Sequence, residues 1–321
     1  MTIVWIVATL CVGLMGFAIQ RGGTCTVAAI NELVSERRMR RLLAMLEASL
    51  WVAGGLALAQ LLHVAGSMPA GWEADRATIG GGVLLGMGAW VNQACVFGAI
   101  ARLGSGQWAY AFTPLGFYVG CLSAPLRFSQ RMPVAQGTDS PLLGGAAVVA
   151  PLFVAYALWR VGPTIAALRG AERARLLNER VWSPHAATIV IGVSFVITLL
   201  LAGRWAYTDV LADLAHGMAE NLWFRGLLLG ALVAGAMLGG WTAGRWARGS
   251  IGAAGLTRCF TGGMLMAWGG LLIPGSNDGL ILVGLPLLQP HAWLAFATMC
   301  ATIGAAMGAQ RAWHAPSSTL R

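Results

Sequence analysis

Three short stretches place polar or reactive side chains beside glycine or proline within apolar sequence. They read QRGGTC at 20–25, NQAC at 92–95 and PGSNDG at 274–279. A thiol is soft and polarizable, a guanidinium attracts anions, and hydroxyl and amide groups donate hydrogen bonds to oxygen atoms. Together they predict a polar path that contacts a small anion. The residues expected to line it are Cys95, Cys25, Ser276, Asn277, Arg21, Cys259 and Asp278.

Each of these residues also has a simpler interpretation. A lone membrane cysteine is usually a small packing residue, but Cys95 lies at a predicted helix break, which favours a pore-lining position. Arg21 could instead extend to a membrane interface beside a buried Cys25. Asp278 could cap the following half-helix, hold an ion or a proton, or be hydrated near an interface. Cys259 is equally consistent with packing and with the path.

The composition indicates which elements must position these side chains. The 321 residues are 57% hydrophobic and 10% charged, whereas soluble domains carry about 25% charged residues. A spanning helix needs about 20 apolar residues, so the sequence predicts an all-α polytopic membrane protein with about nine spanning units. The apolar runs are 2–19, 42–65, 79–101, 107–126, 141–160, 185–203, 222–243, 259–285 and 291–310. The runs 79–101 and 259–285 are interrupted, 22–34 is a candidate half-helix and 206–218 a candidate interfacial helix.

The charged residues predict the orientation. All 21 basic residues are arginine and the formal net charge is +9. They cluster in SERRMRR at 35–41, in the linker 161–184 and near the C-terminus, as the positive-inside rule expects of cytoplasmic loops. We therefore expect a bacterial inner-membrane protein with a cytoplasmic C-terminus, and the side of the N-terminus stays open. Because the arginines flank apolar runs, the charge does not indicate nucleic-acid binding.

An internal repeat relates the two interrupted runs. Residues 81–98 align with 262–279 without a gap, at an offset of 181 positions, and Cys95 then meets Ser276. The predicted organisation is an N-terminal membrane half (1–160), the cytoplasmic linker (161–184) and a C-terminal membrane half (185–321). The topology makes the halves an inverted repeat. The alternative is two independent glycine-rich packing faces.

Broken helices have a recognised use in membranes. Backbone groups freed by a break are tolerated only inside protein or beside a cavity. Half-helices also direct exposed N–H groups and partial positive charge toward the middle of the membrane, where an anion is favoured. We therefore expect PGSNDG to be a turn between half-helices that lines a polar pore.

The six cysteines do not suggest a metal or cofactor site. None forms a CxxC pair, and neither a zinc site nor a disulfide framework is indicated. Cys11, Cys121 and Cys300 lie within apolar runs without polar neighbours and are assigned to packing. No nucleotide-binding motif is present, so we expect neither a cofactor nor an enzyme.

The motifs together resemble the YeeE/YedE family, whose characterised members take up thiosulfate. GFAIQRGGTC (16–25), NELVSERRMRRLLA (31–44), the 81–98 stretch and RCFTGGMLMAWGGLLIPGSNDG (258–279) resemble family elements in order along most of the chain. The resemblance implies an all-helical, hourglass-shaped protein of inverted repeats, with cysteines relaying thiosulfate inward. Arg21, Cys25, Cys95 and Asn277 occupy matching positions, as do Gly88 and Gly98.

One departure bears on the substrate. Ser276 stands where the family has a cysteine, and NQAC replaces the usual glycine-glycine-cysteine. Serine keeps a hydrogen-bond donor but loses the polarizable sulfur, so the protein either passes a related sulfur anion or uses Cys259 in place of the lost thiol. The leading interpretation is an inner-membrane uptake transporter for thiosulfate or a related small sulfur-containing anion. The alternatives are a membrane-embedded thiol enzyme and a non-transporting membrane partner. By resemblance, a soluble cytoplasmic sulfur-carrier protein is a plausible partner.

Overall fold

The computed structural model describes residues 2–66, 68–69, 71–124, 140–169, 180–203, 205–217, 221–246 and 252–314, with side chains up to residue 163 in the fourth range. The helices are α1 (Thr2–Gly22), α2 (Thr26–Glu36), α3 (Arg40–Leu61), α4 (Arg76–Asn92), α5 (Val96–Gly104), α6 (Phe112–Ser123), α7 (Pro141–Gly144), α8 (Ala146–Arg169), α9 (Pro184–Ala202), α10 (Tyr207–Ala215), α11 (Leu222–Thr242), α12 (Ala253–Leu272), α13 (Asn277–Gly279) and α14 (Pro290–His314). A 3₁₀ turn covers Trp108–Ala111, and α13 continues as a π-helix over Leu280–Gly284. These ranges contain no strand, which confirms the all-α prediction.

Several of these segments can span a membrane. Seven are long and apolar enough, namely α1 with α2, α3, α4 with α5, α8, α9, α11 and α14. An eighth is the pair α12 and α13, bent by 53° at its break. The predicted unit at 107–126 corresponds to α6, which has 12 residues. The chain is therefore a polytopic membrane protein, while the count of nine is not reached in the described ranges and stays a prediction.

Local backbone chemistry explains where the helices break. Gly23, after α1, has φ +58°, and Gly203, after α9, has φ +77°, a left-handed conformation that glycine adopts without a steric penalty. Gln93 takes the same left-handed region after α4, at φ 59°. Pro274 lies in the break after α12 and has no backbone N–H to continue a helix. A short helix follows each break: α2, α10, α5 and α13 in turn.

Helix positions recur along the chain. The first residues of α2 and α10, Thr26 and Tyr207, differ by 207 − 26 = 181 positions, and those of α5 and α13, Val96 and Asn277, differ by 277 − 96 = 181. The helices α1 and α9, and likewise α3 and α11, start 182 positions apart. The offset read between residues 81–98 and 262–279 therefore extends to the helices on either side.

The packing at the centre has a matching pattern. Gly81 of α4 approaches Gly269 of α12, and Gly88 approaches Gly262, each within 2.8 Å of the other's carbonyl oxygen if a Cβ were added. Position increases along one helix while it decreases along the other, so α4 and α12 are antiparallel. In contrast, α1 and α11 are parallel, since Gly13 meets Gly235 and Gly239 faces the end of α1. The helices α3 and α9 also pack in parallel.

A buried carboxylate attaches α8 to the rest of the bundle. Glu47 of α3 is 8% exposed and accepts hydrogen bonds of 2.9 Å from the Tyr156 hydroxyl and from Nε of Arg160. It also contacts Nδ1 of His185 at the start of α9. A charge inside a membrane protein is costly unless it is paired, and these three groups compensate it.

The two ends of the bundle differ in charge. Arg38, Arg40, Arg41 and Arg245 line one cavity of 680 Å³, and Arg311 of α14 bonds to Asn31 of α2, which lines the same cavity. We call this the arginine-rich end. At the opposite end, which we call the acidic end, Asp75 caps α4 and Asp209 of α10 lines a cavity with Trp72. The predicted linker 161–184 is helical to Arg169, and its residues 170–179 and the tail 315–321 lie outside the described ranges.

Candidate functional site: a junction of four short helices

The first turns of α2, α5, α10 and α13 meet in the middle of the bundle. We call this region the junction. The residues at the N-cap positions, which directly precede these helices, are Cys25, Cys95, Ala206 and Ser276. All four are buried, with at most 8% of the surface exposed. Each helix N-terminus presents unpaired N–H groups and partial positive charge, so the junction is electrostatically suited to an anion.

Two thiols form one side of the junction. The thiols of Cys25 and Cys95 lie close enough to interact, and the backbone N–H of Thr26 donates to Sγ of Cys95 at 3.2 Å. Gly98 makes room for this pair, because a Cβ atom added there would collide with Sγ of Cys25. The structure therefore brings together two cysteines that lie 70 positions apart in sequence, and the packing requires glycine at position 98.

Asn277 connects the thiol side with α13. Its Oδ1 accepts a hydrogen bond of 3.4 Å from Oγ1 of Thr26, and its Nδ2 is buried without a hydrogen-bond partner among the described residues. A buried donor without an acceptor costs about 1–3 kcal/mol. The amide therefore offers an unused donor beside the two thiols, where an oxyanion could accept it.

Hydroxyl and carboxylate groups form the other side. Thr208 of α10 contacts Oγ of Ser276 and donates its hydroxyl to Oδ1 of Asp278 at 2.5 Å. The Ser276 hydroxyl donates to the same carboxylate. Asp278 thus bonds a side chain of a neighbouring element, and its charge is compensated by hydroxyl groups and by the N-terminal ends of α10 and α13. No side chain caps α13.

The sequence interpretation missed the contribution of α10. The stretch 206–218 was expected to be an interfacial helix, yet Tyr207 and Thr208 are 2% and 1% exposed and belong to the junction. The Tyr207 hydroxyl donates to the carbonyl of Val96 at 2.9 Å. The repeat offset contains a signal for Tyr207, which lies 181 positions after Thr26.

Two predicted site residues lie away from the junction. Arg21, 8% exposed, donates from Nη2 to Oγ1 of Thr242 at 2.8 Å, near the arginine-rich end. Cys259 is fully buried in α12, 13 positions before that helix ends at Leu272, which is about 20 Å along the helix. The structure does not bring Cys259 next to Ser276. Cys121 is buried in α6 without a hydrogen bond among the described contacts.

A cavity approaches the junction from each end. On the arginine-rich side it measures 820 Å³ and includes Val27 and Ala28 of α2 together with Gln93 and Arg102. On the acidic side it measures 30 Å³ and includes Asp209, Pro274 and Val283. The arginine-rich side therefore has a large cavity beside the junction and the acidic side a small one, while Cys25, Cys95, Ser276 and Asn277 line neither.

These features define a polytopic helical membrane protein whose short helices meet at a buried junction containing thiol, hydroxyl and amide groups. The described residues contain no group of three or more His, Cys, Asp or Glu side chains able to hold a metal ion.

The chain belongs to the sulphur transport family, the YeeE/YedE family, whose model matches residues 21–306. No curated protein matches the chain. Membership of a transport family and the apolar helices together make the protein a sulphur-compound transporter of the membrane.

Proposed function

We propose that the protein takes up thiosulfate, or a closely related small sulfur-containing anion, across the bacterial inner membrane through the junction. The observation that carries the proposal is the junction itself. It holds two thiols and the unused Asn277 amide among four helix N-termini, with a cavity on either side. Helix N-termini and N–H donors favour the oxygen atoms of the anion, and thiols favour its terminal sulfur.

We also propose that the halves of the chain form an inverted repeat. A twofold axis that exchanges positions 181 apart turns the Gly81–Gly269 contact into the Gly262–Gly88 contact, and both contacts are present. Because α4 and α12 are antiparallel, such an axis runs perpendicular to them. For helices that cross a membrane, this direction lies in the membrane plane. The recurrence of helix starts at 181 or 182 positions supports the same symmetry.

The proposed axis also relates the two sides of the junction. It exchanges Cys95 with Ser276, so one side offers sulfur and the other offers a hydroxyl already bonded to Asp278. We infer that the anion is held at the Cys25 and Cys95 side. The carboxylate disfavours a second anion on the Ser276 side, and this arrangement supports passage of one anion at a time.

The charge distribution supports an orientation with the arginine-rich end in the cytoplasm. Uptake then runs from the small acidic cavity, through the junction, to the large cavity. A soluble cytoplasmic sulfur-carrier protein is a suitable recipient there, because transfer of the sulfur inside would keep the gradient inward. The predicted halves, 1–160 and 185–321, remain part of this proposal.

Uptake of ³⁵S-labelled thiosulfate into proteoliposomes tests the proposal. We expect flux with the protein, no flux without it, and chemically intact thiosulfate inside the vesicles. A persulfide on Cys25 or Cys95 without flux would instead identify a thiol enzyme. Absence of flux, binding and persulfide would leave a non-transporting membrane partner.

A further inference from the structure

Two arginine side chains meet one tyrosine hydroxyl on the arginine-rich side of the junction. Arg102, in the last turn of α5, donates from Nη1 to the Tyr110 hydroxyl oxygen at 2.7 Å. Arg258, at the start of α12, donates from Nη2 to the same oxygen at 3.3 Å. The guanidinium of Arg102 also lies 5.1 Å from the centre of the Tyr110 ring.

The phenol holds these two cations without neutralising them. Neither guanidinium makes an ion pair with a carboxylate among the described residues. Nε of Arg258 is buried and has no hydrogen-bond partner there. Two like charges that share a neutral acceptor repel each other in a medium of low dielectric constant, so the pair favours an anion nearby.

The location connects the pair to the proposed path. Arg102 lines the 820 Å³ cavity together with Val27 and Ala28, which directly follow Cys25 and Thr26. It lies seven positions after Cys95 in the same half-helix, about 10 Å along it. It is also close enough to Cys25 for an electrostatic interaction. An anion that leaves the two thiols toward the cavity therefore meets Arg102.

The corresponding position in the other half of the chain does not carry an arginine. The position 181 residues after Arg102 is Val283, which lines the small cavity at the acidic end. The position 181 residues after Ala28 is Asp209, which lines the same small cavity. An arginine in the last turn of a helix also stabilises that helix by interacting with its dipole. The corresponding segment, α13 with its π-helical continuation, ends without a basic residue.

We propose that Arg102, positioned with Arg258 by the Tyr110 hydroxyl, forms a second anion-binding site in the large cavity for the sulfur oxyanion that leaves the junction. This inference rests on the proposed function, since it names the site that receives the transported anion. A guanidinium fork matches the paired oxygens of such an anion, while the loss of contact with sulfur allows release into water.

Two measurements with ³⁵S-thiosulfate test this site. The first is equilibrium binding to the purified protein in detergent. The second is the half-saturating concentration for flux, measured from the arginine-rich face in inside-out membrane vesicles and from the other face in whole cells. For Arg102→Gln we expect about tenfold weaker binding and a similar rise in half-saturation from the arginine-rich face, because charge-assisted hydrogen bonds are lost. Half-saturation from the other face should change less than threefold.

Matched variants separate the site from general charge effects. Arg311→Gln removes the same charge from the wall of the same cavity, where Arg311 bonds Asn31 and Ser35 of α2, and should change binding less than threefold. Tyr110→Phe keeps both cations but removes their shared acceptor, and should give an intermediate loss. If Arg102→Gln does not fold, Arg102→Lys replaces it in both measurements, since lysine keeps the charge but lacks the guanidinium fork.

The outcomes distinguish this inference from the proposed function. If wild-type protein transports thiosulfate and the Arg102 and Arg311 variants behave alike, the second site is wrong and the transport function stands. If wild-type protein binds thiosulfate through Arg102 but shows no flux, the site stands and the transport function fails. If wild-type protein neither binds nor transports thiosulfate, both are overturned.

Discussion

Gly88 of α4 and Gly262 of α12 meet backbone to backbone: a Cβ atom on either residue would lie 2.8 Å from the carbonyl oxygen of the other. Real Cβ atoms essentially never approach backbone atoms this closely, so a side chain at either position would push the two helices apart. Since Gly81 and Gly269 make the same kind of contact about two helical turns away, α4 and α12 are in close contact at two matched points.

We therefore expect Gly88→Ala to destabilise the protein by about 1–3 kcal/mol, the usual cost of forcing extra volume into a packed contact. Thermal unfolding in detergent measures it. Gly80→Ala in the same helix is the matched control, since a Cβ there has no neighbour within 4 Å. It should be neutral or slightly stabilising, because alanine favours helix over glycine. Equal stability of the two variants would contradict the close antiparallel packing.

Replacing Cys95 tests the thiol side of the junction. Cys95→Ala removes the sulfur that accepts from the Thr26 N–H, and we expect thiosulfate flux to fall about tenfold or more. A small buried change costs about 1 kcal/mol of stability, so the protein should remain folded, as size-exclusion chromatography and thermal unfolding would show.

Cys121→Ala provides the comparison. This cysteine is 2% exposed in α6 and is assigned to packing, so its loss should leave flux within twofold of wild type. Normal flux in Cys95→Ala together with lost flux in Cys121→Ala would invert the assignment of path and packing cysteines.

Ser276→Cys tests whether the missing thiol sets the substrate. The change places sulfur at the position that the 181 offset relates to Cys95, and weak contacts of a thiol are worth about 0.5–1 kcal/mol. We expect the ratio of thiosulfate to sulfate flux to rise roughly two- to fivefold. Ser276→Ala removes the hydroxyl without adding sulfur and should leave that ratio unchanged. The same rise in both variants would show that loss of the hydroxyl is responsible.

Sequence patterns predict those parts of the site that are marked by particular residue types or by the internal repeat. Glycine and proline mark the breaks at Gly23 and Pro274, and the offset of 181 pairs Cys95 with Ser276. Thr208 carries no such mark, because its role depends on contact with Asp278, 70 positions away. Glu47, Arg160 and His185 likewise form a cluster from three separate helices. Their partners are set by tertiary packing, which no local pattern encodes.

The helix directions predict the side of the N-terminus, which the charges alone leave open. Arg21, at the end of α1, and Arg311, at the end of α14, both lie toward the arginine-rich end. Under the proposal that this end is cytoplasmic, α1 starts on the opposite side of the membrane and α14 ends on the cytoplasmic side. A reporter fused after residue 321 should behave as cytoplasmic and one fused before residue 1 as periplasmic. The reverse pattern in both fusions would overturn the orientation.

The carboxylate of Asp278 is the costliest group in the junction, being 2% exposed. It accepts hydrogen bonds from the hydroxyl groups of Thr208 and Ser276, and hydrogen bonds to a charged acceptor are stronger than neutral ones. Both hydroxyls bond Oδ1, whereas the backbone N–H of Thr208 donates to Oδ2 at 3.5 Å. Asp278→Asn removes the charge that strengthens these bonds and places an amide donor against either that N–H or the hydroxyls, so we expect a loss of about 1–3 kcal/mol in the free energy of unfolding. A double-mutant cycle that combines Asp278→Asn with Ser276→Ala should show a coupling energy of about 0.5–3 kcal/mol, because both changes act on the same hydrogen bond.

The control cycle combines Asp278→Asn with Thr257→Ala. Among the described residues, the Thr257 hydroxyl bonds the carbonyls of Ala253 and Ala254 in its own helix. Those two effects should add. Additivity in the Ser276 cycle as well would mean that the hydroxyl does not compensate the Asp278 charge, and the description of the second side of the junction would be wrong.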